Sequence, residues 1–399
     1  MLSLALISLM IWIYLFFFHH GFWRRREFLP PLQDASDPQV DFATWPSIIS
    51  ITPARNEAAV IKPAFSSLLA QNYPGRFEVL LVDDNSHDHT RELAQSVIDA
   101  HDAQEGTEPR AQIITAPPLQ EGWSGKLWAL HQGLTYLSAQ GRSADYIWFS
   151  DTDIAHDPDV LCRQVIKAVS SGRAFVSIMV TLNCTRFWER VIIPAFIYYF
   201  QMLYPFHATA NPRSSHAGGA GGSVLIRRDA LGAIGGVRSI QNALIDDCEL
   251  AAKVKQAGFS IWLGHGVDSH SLRAASGLED LWKMVTRTAF AQLNYSYMRL
   301  FGAILGIFIT FCLPMIGCVY GIYHGLQTGS WLIMICGFLG YALMGISYMP
   351  TLKAYDQSQI KGFMLPFTAL LFMAMTLHSA FIHLRGGHSG WKGREYNKN

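Results

Sequence analysis

Four long stretches without a single charged side chain constrain this chain more than any other feature. They run from Leu2 to Phe18, Phe301 to Tyr323, Trp331 to Pro350 and Gly362 to Leu384. Each comes close to the ~20 apolar residues that carry a helix across a bilayer core. One such run can be a buried core helix, but three in succession after residue 300 predict membrane-crossing helices. Only helices and closed barrels satisfy their backbone polar groups inside lipid, so this part of the chain has few folds open to it. The first run lacks the basic start and small-residue cleavage site of a secretory signal, and HHGFWRRR follows it. It reads as an uncleaved anchor over residues 1–23.

Basic residues beside the spans predict orientation. Arg24, Arg25 and Arg26 place residues 24–300 in the cytoplasm, and Lys353 and Lys361 between the last two spans agree. The basic tail, residues 385–399 with Arg385, Lys392, Arg394 and Lys398, runs against the rule if all four runs cross. The net charge of +1 implies no electrostatic partner such as nucleic acid. The six cysteines show neither CxxC spacing nor a paired framework and read as free thiols.

Between anchor and C-terminal helices, strands alternate with helices. PSIISITPA, FEVLLVDDNS, AQIITAP, YIWFSDTD and AFVSIMVTL have strand composition. Helices are expected at 57–71, after Ser86 or Asp88, at 126–139, from Pro158 to Ser170, and at 247–256. This rhythm predicts an α/β domain with a mostly parallel sheet flanked by helices. Two apolar, aromatic stretches, Val191–Ala210 and Leu278–Tyr297, are expected as interfacial helices.

In such sheets ligands bind beyond the carboxyl ends of the strands. Three strands there end in polar groups: Pro53-Ala54-Arg55-Asn56-Glu57, Asp83-Asp84 and Asp151-Thr152-Asp153. Carboxylates gathered at one edge suit a hard divalent cation, Mg²⁺ or Mn²⁺, together with a nucleotide's phosphates. Lys126, in GWSGK, can add a positive charge, but that segment matches neither a P-loop nor a hydrolase elbow. Asp246 and Asp247 open a predicted helix, where acids are also ordinary dipole partners. The glycine-rich Asn211–Ser223 reads as a flexible loop that lets backbone approach a ligand.

Taken in order, ITPARNE, VDDNS, GWSGK, DTD, LIDDCEL and WKGRE resemble glycosyltransferase family 2. Among its members the chain looks most like the hopene-associated membrane subfamily, which accompanies hopanoid biosynthesis. The resemblance implies a GT-A fold, a Rossmann-like sheet, with N-terminal and C-terminal transmembrane helices. It also implies a bacterial inner membrane location and a nucleotide-sugar donor, usually UDP-linked. Pro53, Arg55, Glu57, Asp84 and Asp151 match donor-binding positions, Asp153 the metal-contacting member of the DxD motif, and Asp247 the general base. Asp246 stands where Glu is common, and MVTRT (residues 284–288) lacks the polymer-synthase Q/RxxRW motif, against processive synthesis. The implied reaction is a metal-dependent, inverting sugar transfer to a membrane lipid acceptor, a hopanoid or isoprenoid. A polyprenyl-phosphate sugar transferase, left open by Arg213, Arg227, Arg228 and Arg273, is the enzymatic alternative. A non-catalytic membrane scaffold is the alternative from another class.

Overall fold

A computed structural model describes residues 1–32, 45–105, 110–386, 390–391 and 394–395. Lys392 and Lys398 of the basic tail lie outside the described residues. The chain divides into two compact units. One comprises Met1–Arg26, Cys184–His207 and Ala275–His388; the other comprises Glu27–Asn183, Ala208–Ala274 and Ser389–Asn399.

The second unit is built on an eight-stranded sheet. Its strands are β1 Ile48–Ala54, β2 Phe77–Asp83, β3 Ala111–Thr115, β4 Tyr146–Ser150, β5 Ile154–His156, β6 Phe175–Thr181, β7 Ser223–Arg227 and β8 Ile261–Ser271. The spatial order is β3-β2-β1-β4-β7-β6-β8-β5. β3, β2, β1 and β4 run parallel, as do β6 and β8, while β7 is antiparallel to both β4 and β6. The fold is thus GT-A-like α/β, with the expected mostly parallel sheet.

Side-chain alternation divides the packing between the two faces. Along β4, Tyr146 and Trp148 enter a core with Phe65, Leu68 and Val165, while Ile147 and Phe149 enter another with Trp128, Leu130 and Val254. Burial on both faces explains why β1 and β4 read as continuous apolar runs. All five strands expected from the sequence form. Three more, β5, β7 and β8, were not expected. The helices Ile61–Leu69, Thr90–Glu105, Gly125–Ala139, Val160–Ser170 and Asp246–Gln256 follow the expected positions, the first of them shorter.

The first unit is helical. Three helical segments are long and apolar enough to cross a membrane: Tyr297–Thr328, Leu332–Ala354 and Gln359–Leu384. Leu2–Phe18 is a shorter apolar helix. Its polar atoms repair a defect made by proline. Pro314 has no N–H, so the turn before it is one donor short. Ser8 Oγ donates to Ile309 O at 2.9 Å, and Trp12 Nε1 donates to Thr310 O at 2.6 Å. A Cβ on Gly337 would fall 2.4 Å from Cys318 N, so Gly337 lets two helix backbones meet. Residues 187–203 form one helix through Pro194, and Tyr198 within it is fully buried against Tyr348, its hydroxyl 2.7 Å from Ser347 Oγ. This segment of the expected interfacial stretch thus packs inward along one side, while Phe187 and Leu203 at its ends are exposed.

Candidate active site

The carboxyl ends of β1, β2 and β4 bring the expected polar groups to one edge of the sheet, and cross-loop hydrogen bonds fix them. Asn56 N donates to Ser86 Oγ, Glu57 N to Thr90 Oγ1, Ala58 N to Asp88 Oδ2, and His87 N to Asn56 Oδ1. Asp88 also accepts from Thr90 N, so it starts the following helix. Pro53, within β1, accepts the Thr152 hydroxyl on its carbonyl at 3.1 Å, tying β1 to the Asp151-Thr152-Asp153 turn.

Arg55 and Asp84 form the floor of this edge. Arg55 Nη1 donates to the Asp84 and Asn85 carbonyls at 2.5 and 3.1 Å and lies 4.0 Å from Asp84 Oδ2. The Asp84 side chain has no solvent exposure, so a ligand reaches it only when neighbouring side chains move. Glu57 is also buried, at 6% exposure. Its partner is Arg273, whose Nη2 donates to both Glu57 oxygens at 2.8 and 2.6 Å. The same guanidinium uses Nε to reach Asp153 Oδ2 at 3.0 Å.

Arg273 arrives through strand pairing. In the antiparallel β5–β8 pair, Ile154 lies opposite Ser271, and Leu272 N donates to Asp153 O at 2.7 Å. The residue after Leu272 is therefore delivered to the Asp153 side chain. Sequence reasoning named Arg273 only as a candidate for an anionic acceptor and missed its pairing with Asp153, because a separation of 120 residues leaves no local signal.

Lys126 is the hub of the other acids. Its Nζ lies 2.8 Å from Asp151 Oδ1 and 3.3 Å from Asp246 Oδ2. Burial opposes its charge, but Asp151 and Asp246 outweigh that and hold its pKa above the ordinary lysine value. Asp247 Oδ2 accepts Gly221 N and its Oδ1 accepts Cys248 N, both at 2.8 Å. Burial, then the neighbouring Asp246, pushes Asp247 up to about 6, against the pull of Lys126 and the two backbone donors. Asp151 also rises to about 6, through burial and then Asp153 and Asp246, with Lys126 opposing.

The glycine-rich segment serves this cluster. A Cβ on Gly221 would fall 2.9 Å from Lys126 Nζ and 3.4 Å from Asp247 Oδ2. The close backbone approach expected for the loop is made to these two side chains. Among the described residues, no three His, Cys, Asp or Glu side chains converge on a ready metal cluster. Mg²⁺ and Mn²⁺ use one or two protein carboxylates and take their other ligands from phosphate and water, so Asp153 with nearby Asp151 fits a phosphate-borne ion. Of the four arginines that could meet an anionic acceptor, Arg227 is paired with Asp229 and Arg273 with Glu57 and Asp153.

This sheet topology, with acids at the carboxyl edge, defines a GT-A-type fold. Residues 50–235 match the family model described as "Glycosyl transferase family 2". A curated relative, "Probable glycosyltransferase YdaM" of Bacillus subtilis, is 27% identical over 133 residues, 33% of this chain and 29% of that protein. The match thus spans less than a third of the curated relative. Among solved structures, the mannosyltransferase PcManGT of Pyrobaculum calidifontis, in complex with GDP-Man and Mn²⁺, shares the fold. It has a TM-score of 0.56 at 15% identity and covers 96% of this chain and 99% of that one.

Proposed function

We propose that the protein is a membrane-bound, metal-dependent, inverting glycosyltransferase that moves one sugar from a UDP-sugar to a lipid hydroxyl. The reading rests chiefly on one observation. Lys126 joins Asp151, at the proposed donor side, to Asp246, next to the proposed base Asp247. The groups proposed to bind the donor and to accept the proton thus share one edge of one sheet.

In this reading Arg55, Glu57, Asp84 and Pro53 shape the nucleoside end of the site, and Lys126 and Asp151 the diphosphate end. Asp153, with Asp151, would hold the divalent ion, which when bound supplies positive charge to a departing diphosphate. The solved neighbour bound to GDP-Man and Mn²⁺ is consistent with a sugar-nucleotide and a divalent cation. Asp247 takes the proton of the acceptor hydroxyl as the new glycosidic bond forms on the opposite face of the sugar carbon. Its pKa near 6 leaves it ionised, yet still a useful base, at neutral pH.

Three apolar helices of membrane-crossing length support an acceptor drawn from the bilayer, and the resemblance to the hopene-associated subfamily selects a hopanoid or isoprenoid. A hydroxyl acceptor is preferred over a lipid phosphate because Arg227 and Arg273 are already engaged by acids. Residues 1–23 serve as anchor, 24–300 carry the cytoplasmic catalytic portion with interfacial helices, 301–384 cross the inner membrane, and 385–399 form the basic tail.

The test combines membranes with a panel of radiolabelled nucleotide sugars, followed by lipid extraction. Asp247→Asn should cut labelled lipid by ~10² or more, the usual contribution of a general base. Affinity for the nucleotide should barely change. Near-normal transfer would remove Asp247 from the role and leave Asp246 as the candidate. Failure of the wild-type chain to bind UDP with Mn²⁺ would favour a non-catalytic scaffold.

A further inference from the structure

Arg273, like Lys126, serves two acids with different proposed duties. Its Nη2 is committed to both oxygens of Glu57, which is 6% exposed. Its Nε is committed to Asp153 Oδ2 at 3.0 Å. Asp153 is 20% exposed, and Arg273 itself is 48% exposed on its side chain. The Glu57 contact is therefore the anchored one and the Asp153 contact the yielding one. Two backbone features keep the arrangement in register: the β5–β8 pairing and the Leu272 N to Asp153 O hydrogen bond.

We infer that Arg273 is a resident counter-ion for Asp153, one that must give way when a divalent cation is bound there. The inference rests on the reading of Asp153 as the metal-contacting residue. Before a nucleotide arrives, the guanidinium neutralises Asp153, and a cation from solution has to compete with a charge already in place. With a nucleoside diphosphate present, phosphate oxygens contribute ligands of their own to the cation and tip that competition. They also offer the released Nε edge a new anion, while Nη2 stays on Glu57 as a pivot. The consequence is linkage: cation and nucleotide each raise the other's affinity, and Arg273 enlarges the factor by penalising the cation alone. Arg273 acts here as a positioning residue, since its effect passes through Asp153.

The experiment measures Mn²⁺ binding to the full-length protein by electron paramagnetic resonance of the free ion, with and without UDP. Arg273→Gln should tighten Mn²⁺ binding without nucleotide by about fivefold, the scale of a partly exposed ion pair. The same variant should shrink the enhancement that UDP gives to Mn²⁺ binding. Arg273→Lys, which keeps a cation for Glu57 but no bridging fork, should change both quantities in the same direction. Thermal melting establishes that each variant is folded. A purely structural Arg273 would instead weaken Mn²⁺ binding both with and without UDP, and that result would overturn the inference. So would unchanged binding in both arginine variants while Asp153→Asn abolishes it. If Asp153→Asn itself leaves Mn²⁺ affinity intact, the assignment of Asp153 fails, and the inference about Arg273 fails with it.

Discussion

Neutralising Lys126 and neutralising Asp246 should move the pH dependence of transfer in opposite directions. The distances at Gly221 bound the Lys126–Asp247 separation, because both side chains crowd the point where a Cβ would stand, at 2.9 and 3.4 Å. The two charges therefore lie within roughly 6 Å, which at an effective dielectric of ~20 gives an attraction of about 3 kcal/mol. Lys126 is 19% exposed and Asp247 is half-buried, so solvent screens part of this. About half remains, and since one pKa unit corresponds to about 1.4 kcal/mol, the effect on Asp247 is about one unit. Lys126 lowers the Asp247 pKa and Asp246 raises it. The sign follows: Lys126→Met should push the acid limb of the rate profile up from near pH 6 by about one unit. Asp246→Asn should bring it down by a comparable amount. The assay is initial transfer to extracted membrane lipid between about pH 4.5 and 8.5, at saturating donor for each variant, where the limb reports the bound complex. An unmoved limb in both variants, or a shift of the same sign in both, would refute the electrostatic account of Asp247.

Two other outcomes follow from the geometry. Gly221→Ala inserts a methyl group 2.9 Å from the Lys126 ammonium nitrogen, the far end of a long side chain, which must move; binding of UDP and transfer should both fall with little change in thermal stability. Wild-type UDP affinity in that variant, by calorimetry, would separate Lys126 from the donor. A cysteine at the exposed Gln140 should resist a membrane-impermeant thiol reagent in intact cells and react after lysis. Labelling in intact cells would overturn the cytoplasmic orientation.

Much of this protein is written locally. Uncharged runs long enough to cross a bilayer need no tertiary information to be found, because the bilayer thickness sets their length. β1 and β4, buried on both faces, show as apolar and β-branched or aromatic runs, and the helices Ile61–Leu69 and Val160–Ser170 each carry one apolar stripe. Parallel strands all point one way, so the acids after β1, β2 and β4 fall on a single edge once the βα rhythm is recognised.

The unexpected elements arise from pairing between distant segments. β7 is a short SVLIR segment behind glycines, and it becomes a strand because β4 and β6 hold it between them. Propensity over so few residues is weak beside that pairing. β5 and β8 likewise specify each other, and their register alone carries Arg273 to Asp153 and Glu57. Lys126, Asp151 and Asp246 were each visible as charged residues in the sequence. That one ammonium would bind both carboxylates, with Gly221 and Asp247 packed beside it, depended on separate loops closing together. Composition and periodicity determined the helices long and apolar enough to cross a membrane, the sheet class and the acidic edge. The charge network depended on the tertiary fold, because Coulomb attraction and close packing act through space and leave no periodic trace along the chain.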